Sequence, residues 1–425
     1  MRHKVRPPGV LIPLSVSLLA LVSYLPTLGQ PLIEDDYPNI ALAREHGPVG
    51  GWAGMARDRV NRVRATTFVV THWVERAFGL RPAAFYSLSI LLHVSNCLLI
   101  YALGRWPPVG FRVSGWAAAF FAVHEGHQEA VMWYSACNEL LLFFFGSLSL
   151  LGWLLFLEGG RGRRLWYAAS LLSFVLALLS KESSVVLVAV LSLPLLLGPE
   201  PRARRLPALS PFAVLAAVYA VSIFQTRGES FRFSDGSFDL GAPFWETWAK
   251  SFFALFWPWG WLAAMTLAAG RRFGGLLRLG VFWVSVSFVP YMFVAYVHRV
   301  PSRQTYLASA GLALIVGAAV VVLKERVRPS RAWLLTALLG VMLLQNVSHL
   351  WTRKHGLFLK RAEPTEQLIA LARSVEGPIY VRCFPRPPII AEAAVEVALG
   401  RPPGTLVWDE AEARRLRTAA TFCYK

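Results

Sequence analysis

The chain has 425 residues, 55% of them hydrophobic and only 16% charged, with a formal net charge of +18 from 43 Lys+Arg against 25 Asp+Glu. A soluble chain carries about a quarter charged residues, so this composition excludes a soluble globular enzyme and indicates a polytopic membrane protein. The arginines fall in short runs between apolar segments, as cytoplasmic loops do, so the basic excess gives no reason to expect nucleic acid.

Taken in chain order, apolar runs of spanning length are expected at 9–29, 83–104, 113–132, 137–157, 165–180, 183–198, 207–226, 248–268, 277–297, 304–323 and 331–349. That is about eleven crossings at roughly 20 residues each. The first run follows a basic start and is read as a retained helix, because no small-residue cleavage site follows it. Basic clusters at Arg2/Lys4/Arg6, Arg105/Arg112, Arg161/Arg163/Arg164, Arg202/Arg204/Arg205, Arg271/Arg272/Arg278 and Lys324/Arg326/Arg328 occupy every second gap. Placing all of them inside satisfies the positive-inside rule and makes the N-terminus cytoplasmic. Residues 30–82 then form a first extracytoplasmic loop despite Arg44, Arg57, Arg59, Arg62, Arg64, Arg76 and Arg81. Its "NRVRATTFVVTHWVERAFGL" reads as interfacial amphipathic helix, with arginines that either snorkel or hold a phosphate group.

The stretch 165–198 is interrupted only by Lys181–Glu182 and is too long for one span, so the chain is expected to cross, turn at the KES and return. The tail, 351–425, changes texture. "EPTEQLIALARSV" and "PPIIAEAAVEVALG" read as helices, "GPIYVRCF" and "GTLVWDE" as strands, giving a small extracytoplasmic α/β segment. Of the four cysteines, Cys97 and Cys137 lie in apolar segments, whereas Cys383 and Cys423 could pair outside the membrane. The expected architecture is an all-α multispan unit over 1–350 followed by the α/β tail.

This topology gathers the unusual polar groups at one face: Glu34-Asp35-Asp36, "HEGHQEAVMWYSACNEL" at 124–140, Lys181–Glu182, the polar loop 226–239 and "HRVPSRQTYLASAG" at 298–311. Ionisable groups at a membrane edge are functional candidates. The bland alternatives are a solvated acidic loop, a self-neutralised Lys–Glu turn, and a zinc site at the histidines; the last lacks the HExxH spacing. Acids and cations at one membrane face suit sugar transfer from a lipid phosphate. A carboxylate deprotonates the acceptor hydroxyl, and cations stabilise the departing phosphate.

The motifs resemble those of the GT-C superfamily of membrane glycosyltransferases. They look most like the branch of protein O-mannosyltransferases and transmembrane-and-tetratricopeptide mannosyltransferases with their bacterial relatives. "IEDDYPNI" resembles the paired-Asp motif of the first outer loop. In "HEGHQEAVMWYSACNELL", His124, His127, Glu129, Ala130, Val131, Trp133, Ser135, Leu140 and Leu141 match the second-loop string, while Glu125, Cys137 and Glu139 depart from it. "LLSKESSVV" and "SRQTYLASAG" match the later motifs, with Ala308 in place of Pro, and the tail shows no tetratricopeptide pattern.

The resemblance implies a polyprenyl-phosphate-linked sugar donor and catalysis by Asp35 as base, with Asp36 orienting it or binding a metal. Glu34, His124, His127, Glu129, Glu139, Glu182 and Tyr306 would line the acceptor cavity. Lys181, Arg303, Arg62 and Arg64 would face the donor phosphate, and Asp36, His127 and Glu129 are the candidate ligands for a divalent metal. The expected protein is a glycosyltransferase of a bacterial cytoplasmic membrane, contacting lipid, donor and an unidentified acceptor. A flippase for lipid-linked glycans and an inactive assembly subunit of the same fold are the rival readings.

Overall fold

The computed structural model describes residues 9–45, 64–196, 203–225, 239, 241–270, 273–293 and 298–424. Arg62 and most of the polar loop 226–239 lie outside them. Helix α1 (Leu11–Tyr24) runs into a 3-10 turn, Leu25–Gly29, and α2 (Asp36–Glu45) starts at the third of the clustered acids. Helix α3 (Ala65–Phe78) buries Ala65, Thr66, Thr67, Phe68 and Thr71 while Trp73 and Phe78 are exposed, the two-faced pattern expected of an interfacial helix. It stops at Gly79, whose φ of 63° suits a residue without a side chain. Helix α4 (Pro82–Ala102) follows with its proline in the first turn.

Helix α5 (Gly110–Val123) ends where His124 turns extended, and α6 (Glu129–Met132) is one turn between 3-10 segments. Then come α7 (Cys137–Glu158), α8 (Arg163–Leu178) and α9 (Leu187–Leu196). The chain breaks between α8 and α9 at the expected place: Lys181 is extended and a 3-10 segment begins at Glu182. Helix α10 (Ser210–Gln225) is followed by α11 (Phe244–Phe256) and α12 (Trp259–Gly270), which meet at 85° next to Pro258, a residue with no N–H to continue the ladder. Helices α13 (Gly274–Phe288) and α14 (Tyr306–Arg326) complete the packed body.

Seven described helical segments are long and apolar enough to cross a bilayer, or eight if the bent α11–α12 pair counts as one. This corrects the expectation of about eleven. Runs at 113–132, 165–180 and 183–198 are apolar in composition, but the backbone breaks inside or beside each of them. Helices α5 and α8 have 14 and 16 residues, short of the roughly 20 a span requires, and the described part of α9 has 10.

Helix α14 is the axis of the fold, its span 94% buried and packed by α5, α12 and α13. Its small residues permit the approach: a Cβ at Gly317 would collide with the Val113 carbonyl of α5. Close contact between small residues is how helices associate where the surrounding lipid is as apolar as the side chains.

The last helical stretch, Pro329–Ser374, is a 46-residue rod made of α15 (Ala332–His349), a π turn at Leu350–Lys354, and α16 (His355–Ser374). At 1.5 Å per residue it is about 70 Å long, more than twice the hydrocarbon thickness, so a single crossing does not account for its whole length. It leads into strand β1 (Ile379–Cys383), α17 (Pro388–Leu399), β2 (Leu406–Val407), α18 (Glu410–Leu416) and β3 (Ala420–Cys423). The strands form a parallel sheet in the order β2-β1-β3, and a disulfide joins Cys383 to Cys423. The strands and helices read from the tail sequence are thus present, though its first helix belongs to the rod. Helix α17 buries Ala393, Ala394 and Val397 with Leu32, Tyr37 and Ile40 of the first loop and α2, which fixes the α/β unit to the helical body.

Candidate active site

The three acids of the first loop are in three different environments. Asp36 is fully buried. Its Oδ2 accepts from the Ile33 amide at 2.8 Å, and its Oδ1 accepts from the Ser135 amide at 2.7 Å and the Ser135 hydroxyl at 2.8 Å. Those bonds lock the first outer loop to the second, and Trp133 adds another by donating Nε1 to the Ile33 carbonyl at 3.3 Å. Burial raises the Asp36 carboxyl from the ordinary range to about 7, against the lowering effect of the Ile33 and Ser135 bonds. Asp35, the preceding residue, is exposed. Glu34 is buried again, at a left-handed φ of 45°.

Glu34 is the anion of an arginine cluster. Arg361 of α16 reaches it through Nη2 at 2.7 Å and Nε at 3.2 Å, a bidentate geometry, and Arg386, between β1 and α17, reaches it at 2.7 Å. Arg361 also approaches Glu129 at 3.5 Å, and the Arg303 amide donates to Glu129 at 3.2 Å. Both guanidiniums lie over the Trp133 ring, Arg361 at 4.3 Å and Arg303 at 4.9 Å from its centre. Three loops and the tail therefore meet around one tryptophan. The late loop is tied in by Ser302 and Thr305, which donate to the Gly126 carbonyl at 2.9 and 2.8 Å. The rod is tied in by His349 against Glu125 at 3.0 Å.

A second polar cluster follows directly along α7. Lys181 is buried and paired with Glu139 of α7, not with its neighbour Glu182. Tyr291 donates to Ser183 at 2.8 Å beside this pair. Glu182 pairs instead with Arg64 at 3.1 Å, and Thr66 of α3 donates its amide to Leu179 and its hydroxyl to Ser180. The KES turn is thus held from both sides, by α7 and by the start of α3.

The sequence-derived groups divide accordingly. Glu34, Glu129 and Arg303 are linked through Arg361 and Trp133, Asp36 is bound to Ser135 of the same second loop, and Asp35 is exposed between Glu34 and Asp36. Lys181, Glu139, Glu182 and Arg64 form the adjoining cluster of internal ion pairs. Tyr306 is fully buried among helices, its hydroxyl at 2.8 Å from His93 Nδ1 and 3.2 Å from Asn96 Nδ2. His124 and His127 are also buried, stacked against Phe120 and Phe121, with no hydrogen-bond partner for any ring nitrogen among the described residues. Burial lowers His124 to about 3, and burial with the neighbouring histidines lowers His127, so both rings are neutral at physiological pH.

The anticipated metal set is not assembled. No three His, Cys, Asp or Glu among the described residues are placed to hold an ion. The reason is local: Asp36 is taken up by Ile33 and Ser135, Glu129 by two arginines, and His127 by aromatic packing.

Arg361 and Arg386 are the site residues that sequence reasoning missed. Both lie in the segment read as a separate tail, and Arg361 is 327 positions from its partner Glu34. Also missed was an apolar groove of about 710 Å³, lined by Ala249, Lys250, Phe253 and Ala254 of α11 with His298 and Arg299. The groove leads back to the site through the chain, because the Val300 amide donates to Ser251 of α11 at 2.9 Å and Arg303 follows one turn later.

The fold is shared with solved structures. ArnT from Cupriavidus metallidurans in the apo state superposes with a TM-score of 0.54 at 14% identity, covering 91% of this chain and 84% of that one. ArnT bound to undecaprenyl phosphate gives 0.52 at 16%, covering 97% and 89%. The oligosaccharyltransferase AglB from Archaeoglobus fulgidus, in complex with an inhibitory peptide and a dolichol-phosphate, gives 0.57 at 12%, covering 94% of this chain and 65% of that one. The chain has the fold of these structures. No protein-family model matches the sequence, and no curated protein matches it. At these identities the likeness establishes the fold, over 91–97% of the chain.

Proposed function

We propose that this GT-C chain is an integral-membrane glycosyltransferase that moves a sugar from a polyprenyl-phosphate carrier to an extracytoplasmic acceptor. The observation that carries this reading is the meeting of Glu34 and Glu129 with Arg303, Arg361 and Arg386 beside Trp133, with the exposed Asp35 next in sequence to Glu34 and, a few residues along the chain from Arg303, an apolar groove lined in part by Lys250, His298 and Arg299. A long hydrocarbon with an anionic head fits an apolar groove whose lining includes Lys250 and Arg299, and two of the superposed structures hold polyprenyl-type phosphates.

In this reading Asp35, exposed on a loop that Asp36 anchors, takes the proton from the acceptor hydroxyl. The hydroxyl oxygen bonds to the anomeric carbon from the side opposite the carrier, the carbon–oxygen bond to phosphate breaks, and the product has inverted configuration. The phosphate leaves with both electrons of that bond toward Arg303 and the groove cations, which stabilise the charge developing on it. The second-loop and late-loop strings, which resemble those of the mannosyltransferase branch, favour a hexose as the sugar. The Cys383–Cys423 bridge suits an oxidising exterior, which supports reading the tail, and the acids it covers, as facing the outer side.

The test is transfer of radiolabelled sugar from polyprenyl-phosphate hexoses to cell-envelope acceptors by the purified chain in lipid. Asp35→Asn is expected to reduce turnover about 100-fold or more, the contribution of a positioned base, with donor binding retained. Full turnover by Asp35→Asn would sink the mechanism. Movement of glycan across sealed vesicles with no covalent transfer would replace the enzyme by a flippase.

A further inference from the structure

Parallel sheets are normally covered on both faces, and the sheet of the C-terminal unit is not. Ile379 and Val381 of β1, Leu406 of β2 and Phe422 of β3 point one way, into a core with Leu368 and Ala372 of α16 and Ala391 and Val395 of α17. Alternation sends the intervening residues to the other face. There Tyr380 and Arg382 of β1 and Thr421 of β3, which is in register with Tyr380, meet only the seven-residue α18. Between them lies a cavity of about 530 Å³, completed by Glu410, Ala413, Arg414, Arg417 and Thr418. That is a size typical of ligand sites. Because α17 packs on α2 with its other side, this cavity faces away from the helical body and is separate from the constellation around Trp133.

Among the described residues, two of its three arginines have no carboxylate partner. Arg303, Arg361, Arg386, Arg64 and Arg44 each face a carboxylate. In the cavity Arg414 has its helical neighbour Glu410, but Arg382 and Arg417 have no carboxylate partner among the described residues. Arg417 also sits at the C-cap of α18 with φ 50° and ψ 59°. Glycine fits such a position without strain, and Gly400 fills the equivalent one after α17 at φ 66°. A bulky cation is thus held in a conformation that glycine would adopt at lower cost, and it lines a polar cavity.

We propose that this cavity is a binding site for an anionic saccharide. The two free guanidiniums would take its carboxylate or phosphate in the bidentate manner open to arginine. The Thr418 and Thr421 hydroxyls would bond sugar hydroxyls, and the Tyr380 ring would supply a flat apolar wall. The site is independent of the transfer chemistry: it would hold a charged glycan at the outer unit whatever reaction follows.

The test uses the full chain in neutral-lipid nanodiscs, with calorimetric titration of tetragalacturonate, maltotetraose and inorganic phosphate, and flotation with phosphatidylglycerol vesicles. Saturable, salt-sensitive binding of tetragalacturonate is expected, with none for the neutral tetrasaccharide. Arg382→Ala and Arg417→Gly should each weaken it about tenfold or more, the order of one charge-assisted contact. Arg417→Gly relieves the backbone, so its melting temperature should hold or rise, and lost binding cannot be put down to lost fold. Asp35→Asn should bind as the unmodified chain does, which separates this site from the transfer site. No saturable binding, or binding by both variants as tight as that of the unmodified chain, would overturn the proposal. So would arginine-dependent binding to the vesicles or to phosphate alone with none to the saccharide.

Discussion

Asp35 and Asp36 are adjacent and chemically identical, yet one faces solvent and the other is sealed between two loops. Asp36 accepts three hydrogen bonds, two from backbone amides. An asparagine there would turn its NH2 group toward one of those N–H donors and leave a buried donor unpaired, a loss of about 1–3 kcal/mol. We expect Asp36→Asn to lower the melting temperature of the purified chain and to loosen the first loop, measured as faster amide exchange at Ile33 and Ser135.

The pH dependence has a defined sign. With its carboxyl raised from 3.8 to about 7 in the folded chain, the folded state binds the extra proton between those values and the unfolded state does not. The stabilisation is therefore complete below about pH 4 and is lost as pH rises through about 7. A melting series across that window should show the fall in the unmodified chain and its absence in Asp36→Asn.

At the scale of elements, close packing and long-range pairing set the architecture. Helix α14 touches α5 where Gly317 faces the Val113 carbonyl. Gly317→Val must push the two helices apart, and overpacking of this kind costs about 1–3 kcal/mol or more. The expected outcome is a large drop in monodisperse protein on size exclusion.

Arg361 bridges α16 to the first and second loops, with Glu34 on one side and Glu129 on the other. Arg361→Met keeps the stem that covers Trp133 but leaves two acids short of a partner. Proteolysis between α16 and β1 should accelerate, and donor affinity should fall with it.

These elements also mark what could be read in the sequence. The acidic triplet, the second-loop string and the late-loop string were legible because unusual polar residues stand out against apolar runs, and they do converge. The break at Lys181 was legible for the same reason, although its ion pairing was not: Lys181 prefers Glu139, 42 positions away, to the adjacent Glu182. The span count was misread because hydropathy records composition and not where a backbone leaves its ladder, as at His124. Arg361 and Arg386 were invisible because their partner lies more than three hundred positions earlier, and no local pattern encodes that.

At the scale of the molecule, the tail is part of the site's walls. Hydrophobic packing of α17 on α2, the Glu34 arginines and the Cys383–Cys423 bond all hold it there. Alkylation followed by mass spectrometry should find Cys383 and Cys423 blocked until a reductant is added, and Cys97 and Cys137, both buried, labelled only after unfolding. The rod Pro329–Ser374 crosses the lipid at one end and carries Arg361 at the other. It is a lever: over its length of about 70 Å, a tilt of about 5° carries the far end roughly 6 Å. Thicker or thinner bilayers change the tilt of such helices, so acyl-chain length in the host membrane becomes an input to the geometry around Trp133.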